Sequence, residues 1–215
     1  MIPHEVEQRS IEWREKRLGI PTASHFGEIV KADGEPTTGE GRKTYLCRLV
    51  SERILGWPAE DEFPHGRQPR WMQHGMEHEH EAREWFSSIQ GVKLSQAGFY
   101  TTDDKLLGAS PDCLIQGRRE GVEIKCPAPW THVSYLLYGP GKQYKQQVQG
   151  QMLVCELEKV YFFSHWPEPD LPDYLKLTMR DEDYIKKMRR CLYEFLDELH
   201  EATERVRQLR RESNA

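Results

Sequence analysis

Ser110-Pro111-Asp112-Cys113-Leu114-Ile115, followed by Gly121-Val122-Glu123-Ile124-Lys125-Cys126-Pro127, decides how this chain is read. Two short apolar runs flank the turn-like residues 116–121, which predicts a pair of adjacent strands. Side chains alternate along a strand, so Glu123 and Lys125 face one side and Ile124 faces the core. Asp112 stands at the entrance of the first strand, behind a proline. Two carboxylates and one ammonium therefore converge. A hard cation such as Mg²⁺ takes carboxylate oxygens and leaves positions open for water and a phosphate oxygen. A lysine in such a place can orient or deprotonate an attacking water. Three charges on a solvated sheet face are the alternative, but these lie within an otherwise apolar strand, where an ionised group needs a partner.

Outward from this pair, residues 92–101 and 106–109 read as further strands, making a largely antiparallel hairpin set. Residues 159–166, with Val160-Tyr161-Phe162-Phe163, and 174–179 read as two more. Helices are expected at 43–55 (stripe Leu46, Val50, Ile54) and 71–89 (stripe Ala82, Trp85, Phe86, Ile89), separated by a Pro/Gly-rich connector ending at Pro69. Others are expected at 131–137, 142–156 and 182–211, the last striped by Tyr184, Met188, Leu192, Phe195, Leu199, Val206 and Leu209. The order predicts an α/β fold, a central mixed sheet flanked by helices on both sides with a long C-terminal helix. It is one domain: a helical part at about 1–90, a sheet core at about 91–180 and the final helix at about 181–211.

Three outlying groups carry chemistry. In Gly75-Met76-Glu77-His78-Glu79-His80-Glu81, Glu79 lies three residues before Ala82 and can reach the core-facing edge of its helix as a further carboxylate. The pairs His74/His78 and Glu77/Glu81 have transition-metal spacing but lack a third fixed ligand, and a solvated face is the better reading for most of this run. Gln143, Gln147 and Gln151 share one helix face; Gln147 can serve water or phosphate, while Gln143 and Gln146 read as exposed amides. Arg17 precedes the hydroxyls of Thr22 and Ser24 at a helix start, a combination that favours an anion.

Composition narrows the partners. Thirty Lys and Arg against 35 Asp and Glu give a net charge of −5, which excludes a basic coating protein but not a local basic surface. The five cysteines form no CxxC pair, so reduced thiols in a cytoplasmic protein are expected. No apolar run is long enough for a membrane span, and the N-terminus lacks the apolar stretch of a signal peptide.

Together, Trp13-x-x-x-Arg17-Leu18-Gly19-x-x-Thr22-Ala23-Ser24, Gly75-x-x-x-Glu79-x-x-Ala82-Arg83, Ser110-Pro111-Asp112, Glu123-Ile124-Lys125-Cys126-Pro127 and Gln147-Val148-Gln149-x-x-Met152 resemble the phage lambda exonuclease, or YqaJ-like viral recombinase, family. The strings follow the family's order over about residues 10–165, with Cys113 standing where the family usually has Gly. The resemblance implies a restriction-endonuclease-like core and a Mg²⁺-dependent 5′→3′ exonuclease that releases mononucleotides from ends of double-stranded DNA. It implies two ions per site, with Mn²⁺ as a substitute. Asp112, Glu123 and the Ile124 carbonyl would be ligands, and Glu79 would serve the second ion. Lys125 would position the water, Gln147 would hold water or phosphate, and Arg17, Ser24 and Ser110 would grip the 5′-phosphate. A homotrimeric ring and a single-strand annealing protein are the implied partners, in phage-type recombination. A 5′ end must part from its complement before reaching such a site, and Trp71 with Met72 could form the wedge or pack under the helix start. Two rival functions remain open: a site-specific or repair endonuclease on the same core, and a non-catalytic DNA-binding assembly protein.

Overall fold

A computed structural model describes residues 1–58, 70–141 and 143–213, together with every described side chain except that of Gln143. The connector ending at Pro69 lies outside the described residues. Strand β6 (Glu120–Lys125) is buried along all but its last residue, which makes it a central strand. On one side it pairs antiparallel with β5 (Cys113–Ile115), which in turn pairs with β2 (Leu94–Gln96). On the other side it runs parallel to β7 (Lys159–Ser164), and β7 pairs antiparallel with β8 (Tyr174–Met179). A parallel pair needs a long crossover. Helices α4 (Pro129–Tyr138) and α5 (Gln143–Val154) supply it.

The expected single hairpin set divides between two sheets. β3 (Phe99–Thr101) leaves β2 and joins β1 (Ile2–His4) and β4 (Gly108–Ala109) in a three-stranded sheet. The break falls at Gly98, where a Cβ would lie 2.4 Å from the His4 carbonyl oxygen. Only glycine lets the first strand pass so close. The N-terminal part thus opens with a strand before its helices α1 (Ile11–Lys16), α2 (Glu40–Leu55) and α3 (Arg70–Gln90).

Each face of the larger sheet has its own core. Val122, Ile124 and Phe163 pack with Ala82 and Phe86 of α3. Across the sheet, Val160 packs with Met152 of α5, Tyr45 and Leu49 of α2, and Met188, Leu192 and Phe195 of α6 (Glu182–Ser213). Three apolar stripes are narrower than their spacing suggests. In α2 the buried line is Tyr45, Leu49 and Val50, with Leu46 and Ile54 at its margin. In α3 only Ala82 and Phe86 are buried; Trp85 and Ile89 are exposed, because a single sheet face admits one i, i+4 line. In α6 burial ends at Thr203, and the last turns, with Val206 and Leu209, outrun the domain.

Candidate active site

Glu123 faces α5 and is 1% exposed. Three donors hold it: Lys125 Nζ at 2.5 Å and Gln147 Nε2 at 2.5 Å on Oε1, and Gln151 Nε2 at 2.6 Å on Oε2. Strand alternation puts Lys125 on the face of Glu123, and helical spacing puts both glutamines opposite them. Two of the donors are neutral amides, and the third, Lys125, is an ion-pair partner that Glu123 shares with Asp112. Burial works against the Lys125 ammonium, but the charges on Glu123 and Asp112 outweigh it and hold that group above its ordinary value.

Asp112 enters from the loop before β5, and its Oδ2 accepts from the Ile124 N–H at 2.7 Å. Burial, then the Glu123 charge, push its carboxyl up to about 7 from 3.8; Lys125 and the Ile124 N–H offset this only in part. The pocket therefore holds more negative charge than its one ammonium covers. That excess, on hard oxygen donors, fits a divalent cation.

Glu79 lies near enough for its charge to raise Asp112 further. It is turned to two arginines: Arg9 Nη2 lies 2.8 Å from Oε2 and Arg83 Nη2 lies 3.4 Å from Oε1. Among the described residues, no three His, Cys, Asp or Glu side chains draw together into a group able to hold a metal. The expected third carboxylate is thus present but otherwise engaged. Arg83 is one helical turn from Glu79 and could have been read from spacing. Arg9, 70 residues away in sequence, could not.

A second cluster gathers at the start of the 3₁₀ helix Ala23–Glu28. Gly19 makes the turn before it at φ +64, and its N–H donates to the Glu52 carboxylate at 2.8 Å. This presents Arg17, whose guanidinium stacks 4.0 Å over the Trp13 ring. Arg17 also reaches Ser110 Oγ at 3.5 Å and Thr22 Oγ1 at 3.3 Å, while the Trp13 ring N–H donates to Ser110 at 2.9 Å. The Ser24 hydroxyl lies 3.3 Å from that of Thr22. The structure thus brings Arg17, Thr22 and Ser24 together with Ser110, which lies two residues along the chain from Asp112, and adds Trp13 to them.

Other expectations change. Gln151 joins Gln147 on Glu123; the i, i+4 ladder contained that signal. Gln146 is not an exposed amide: it is buried and donates to the Val30 carbonyl at 3.2 Å, because α5 packs against the chain before α2. Trp71 meets Trp130 edge-on at 5.3 Å and His74 at 5.4 Å, whereas Met72 is 46% exposed.

The sequence profile of the YqaJ-like viral recombinase domain matches residues 12–158. Among solved structures, an alkaline exonuclease (LHK-Exo) from Laribacter hongkongensis is 26% identical, with a TM-score of 0.82 over 94% of this chain and 99% of that one. LHK-Exo in complex with dAMP is 27% identical, with a TM-score of 0.81 over the same shares. A phage-related exonuclease from Haemophilus somnus 129PT, 16% identical, shares the fold with a TM-score of 0.63 over 85% of this chain and 96% of that one. No curated protein sequence matches the chain. The architecture is that of the restriction-endonuclease-like exonucleases, and with 147 of its 215 residues matched, the chain belongs to the YqaJ-like viral recombinase family.

Proposed function

We propose that the protein is a Mg²⁺-dependent 5′→3′ exonuclease that releases mononucleotides from ends of double-stranded DNA in phage-type recombination. One observation carries the reading: a buried Glu123, gripped by Lys125, Gln147 and Gln151, beside an Asp112 that burial and a second carboxylate hold near neutrality. Two Mg²⁺ ions, or Mn²⁺ in their place, would be held by Asp112, Glu123 and the Ile124 carbonyl, with Glu79 at the second, and would stabilise the attacking and leaving oxygens of an in-line displacement.

The chain's own residues do the rest. Lys125, kept as an ammonium by its neighbours, donates to and orients the water rather than removing its proton. Gln147 and Gln151 fix the rotamer of Glu123 and leave its charge intact. Gln147 would also hold the water or the scissile phosphate. Arg17, Ser110 and Ser24 form the grip for a 5′-phosphate; the Trp13 ring lies against the guanidinium of Arg17, and Ser110 and Thr22 orient it. Met72 is the exposed member of the strand-parting wedge, and Trp71 backs it from among other rings. A homotrimeric ring and a single-strand annealing protein belong to the same reading, the ring reconciling an acidic chain with DNA by lining its channel with basic residues. LHK-Exo, crystallised with the mononucleotide dAMP, supports it.

The test is digestion of linear duplexes labelled at either the 5′ or the 3′ end, with and without a 5′-phosphate, in Mg²⁺. Mononucleotides should appear first from phosphorylated 5′ ends, and a covalently closed circle should survive. Cutting of the closed circle would make the protein an endonuclease instead.

A further inference from the structure

Beyond the site, β7 runs out through Ser164 into His165, Trp166 and Pro167, and this segment walls a cleft against the outer side of α3. Two indoles line it, Trp85 from α3 and Trp166. Each has its ring N–H tied to a carboxylate: Trp85 to Asp173 Oδ2 at 2.6 Å, and Trp166 to Asp170 Oδ1 at 3.2 Å. Glu81, Glu84 and Glu168 line the same cleft and are exposed, and no Lys or Arg is among the described residues lining it. His165 is 8% exposed. Its Nδ1 lies 2.7 Å from Asp173 Oδ1, an oxygen that only accepts, so Nδ1 carries the proton. Its Nε2 has no hydrogen-bond partner among the described residues, and on a neutral ring that atom is a bare acceptor.

We infer that this cleft docks an arginine side chain carried by a partner polypeptide. A guanidinium is flat, stacks on indole faces and donates in a fork to carboxylates; its remaining N–H groups suit a histidine acceptor. An ammonium would satisfy the charge but not the stacking. The acidic rim repels phosphates, so this surface is not a path for nucleic acid. The buried ring nitrogen without a partner among the described residues is the feature that a merely solvated acidic patch would lack.

The test titrates the full chain with terminally blocked Gly-Arg-Pro-Arg-Gly and its lysine and citrulline counterparts, following the indole N–H resonances of Trp85 and Trp166. The arginine peptide should shift both resonances saturably and bind more tightly than the lysine peptide, and the citrulline peptide should leave them unmoved. The double variant Glu84→Gln/Glu168→Gln should bind it roughly tenfold more weakly, as loss of charge-assisted contacts requires, with duplex digestion unchanged. The control Glu201→Gln/Glu204→Gln, on the outer part of α6, should bind like the parent. Equal affinity for lysine and arginine, or equal weakening in the control, would reduce the effect to general charge attraction and overturn the inference. Shifts produced by Zn²⁺ and by no peptide would make the cleft a metal site, and no shift with any probe would leave it without a ligand role.

Discussion

Glu123 and Glu79 are both carboxylates whose charges act on Asp112, but the protein treats them in opposite ways. Glu123 is buried and held by two neutral amides and one ammonium. Glu79 sits at the rim, between two guanidinium groups. An amide donor fixes a carboxylate and leaves its charge, whereas an arginine cancels it. On the proposed reading the deep pair, Glu123 with Asp112, sharing the ammonium of Lys125, is the part that would take a cation. Glu79 must exchange partners before it can serve one. Hydrogen bonding and neutralisation are separate design choices, and the proposed metal site would draw first on the carboxylates that amides fix.

Removing the ammonium from the deep side should have the largest effect. Lys125→Ala should lower the cleavage rate by about a thousandfold, the scale of losing one preorganised donor at the reacting centre. It also strips Glu123 of the cationic partner it has among the described residues. An uncompensated buried charge costs about 3 kcal/mol, so metal-free Lys125→Ala should melt well below the parent and recover when Mg²⁺ is added. Gln151→Leu comes next. One carboxylate oxygen loses the donor it has among the described residues, at about 1–3 kcal/mol, and cleavage should slow by about tenfold or more while DNA binding in Ca²⁺ is kept.

A smaller effect concerns pH. The Asp112 carboxyl stands above its unfolded value, 3.8 rising to about 7. Its contribution to stability is then full below the unfolded value and lost as pH rises through the folded one. Without metal, the melting temperature of the parent should fall relative to Asp112→Asn between about pH 4 and pH 7. A constant difference across that window would show that Asp112 carries its charge at no cost. Smallest of all, Arg9→Gln should change stability by less than about 1 kcal/mol, since its guanidinium is 53% exposed in the pair with Glu79. A tighter calorimetric Mg²⁺ affinity in that variant would sharpen the contrast, by showing that Arg9 competes for Glu79.

Much of this was legible in the residues. Period-2 alternation placed Glu123 and Lys125 on one face, and helical spacing held both glutamines, although only Gln147 was singled out. What escaped has physical reasons. Periodicity identifies a strand but not its partner, so the parting of β2 from β3 at Gly98 depends on β1, nearly a hundred residues earlier. A helical stripe shows which side is apolar, not how far the supporting surface extends, hence the exposed Val206 and Leu209. Arg9 reaches Glu79 only through tertiary structure; its backbone, at φ 70, adopts the left-handed region that non-glycine residues rarely take.

In the proposed function, Asp112 and Glu123 form a cation site that drives phosphodiester cleavage. Calorimetric titration of Mg²⁺ into the parent and Asp112→Asn at pH 8, with digestion of a 5′-phosphorylated duplex followed in parallel, tests it most directly. The parent should show saturable binding and digestion. In Asp112→Asn both should vanish while the melting temperature stays at or above that of the metal-free parent, because the replacement keeps the oxygen that accepts from the Ile124 N–H and removes the buried charge. Undiminished digestion by Asp112→Asn would contradict it.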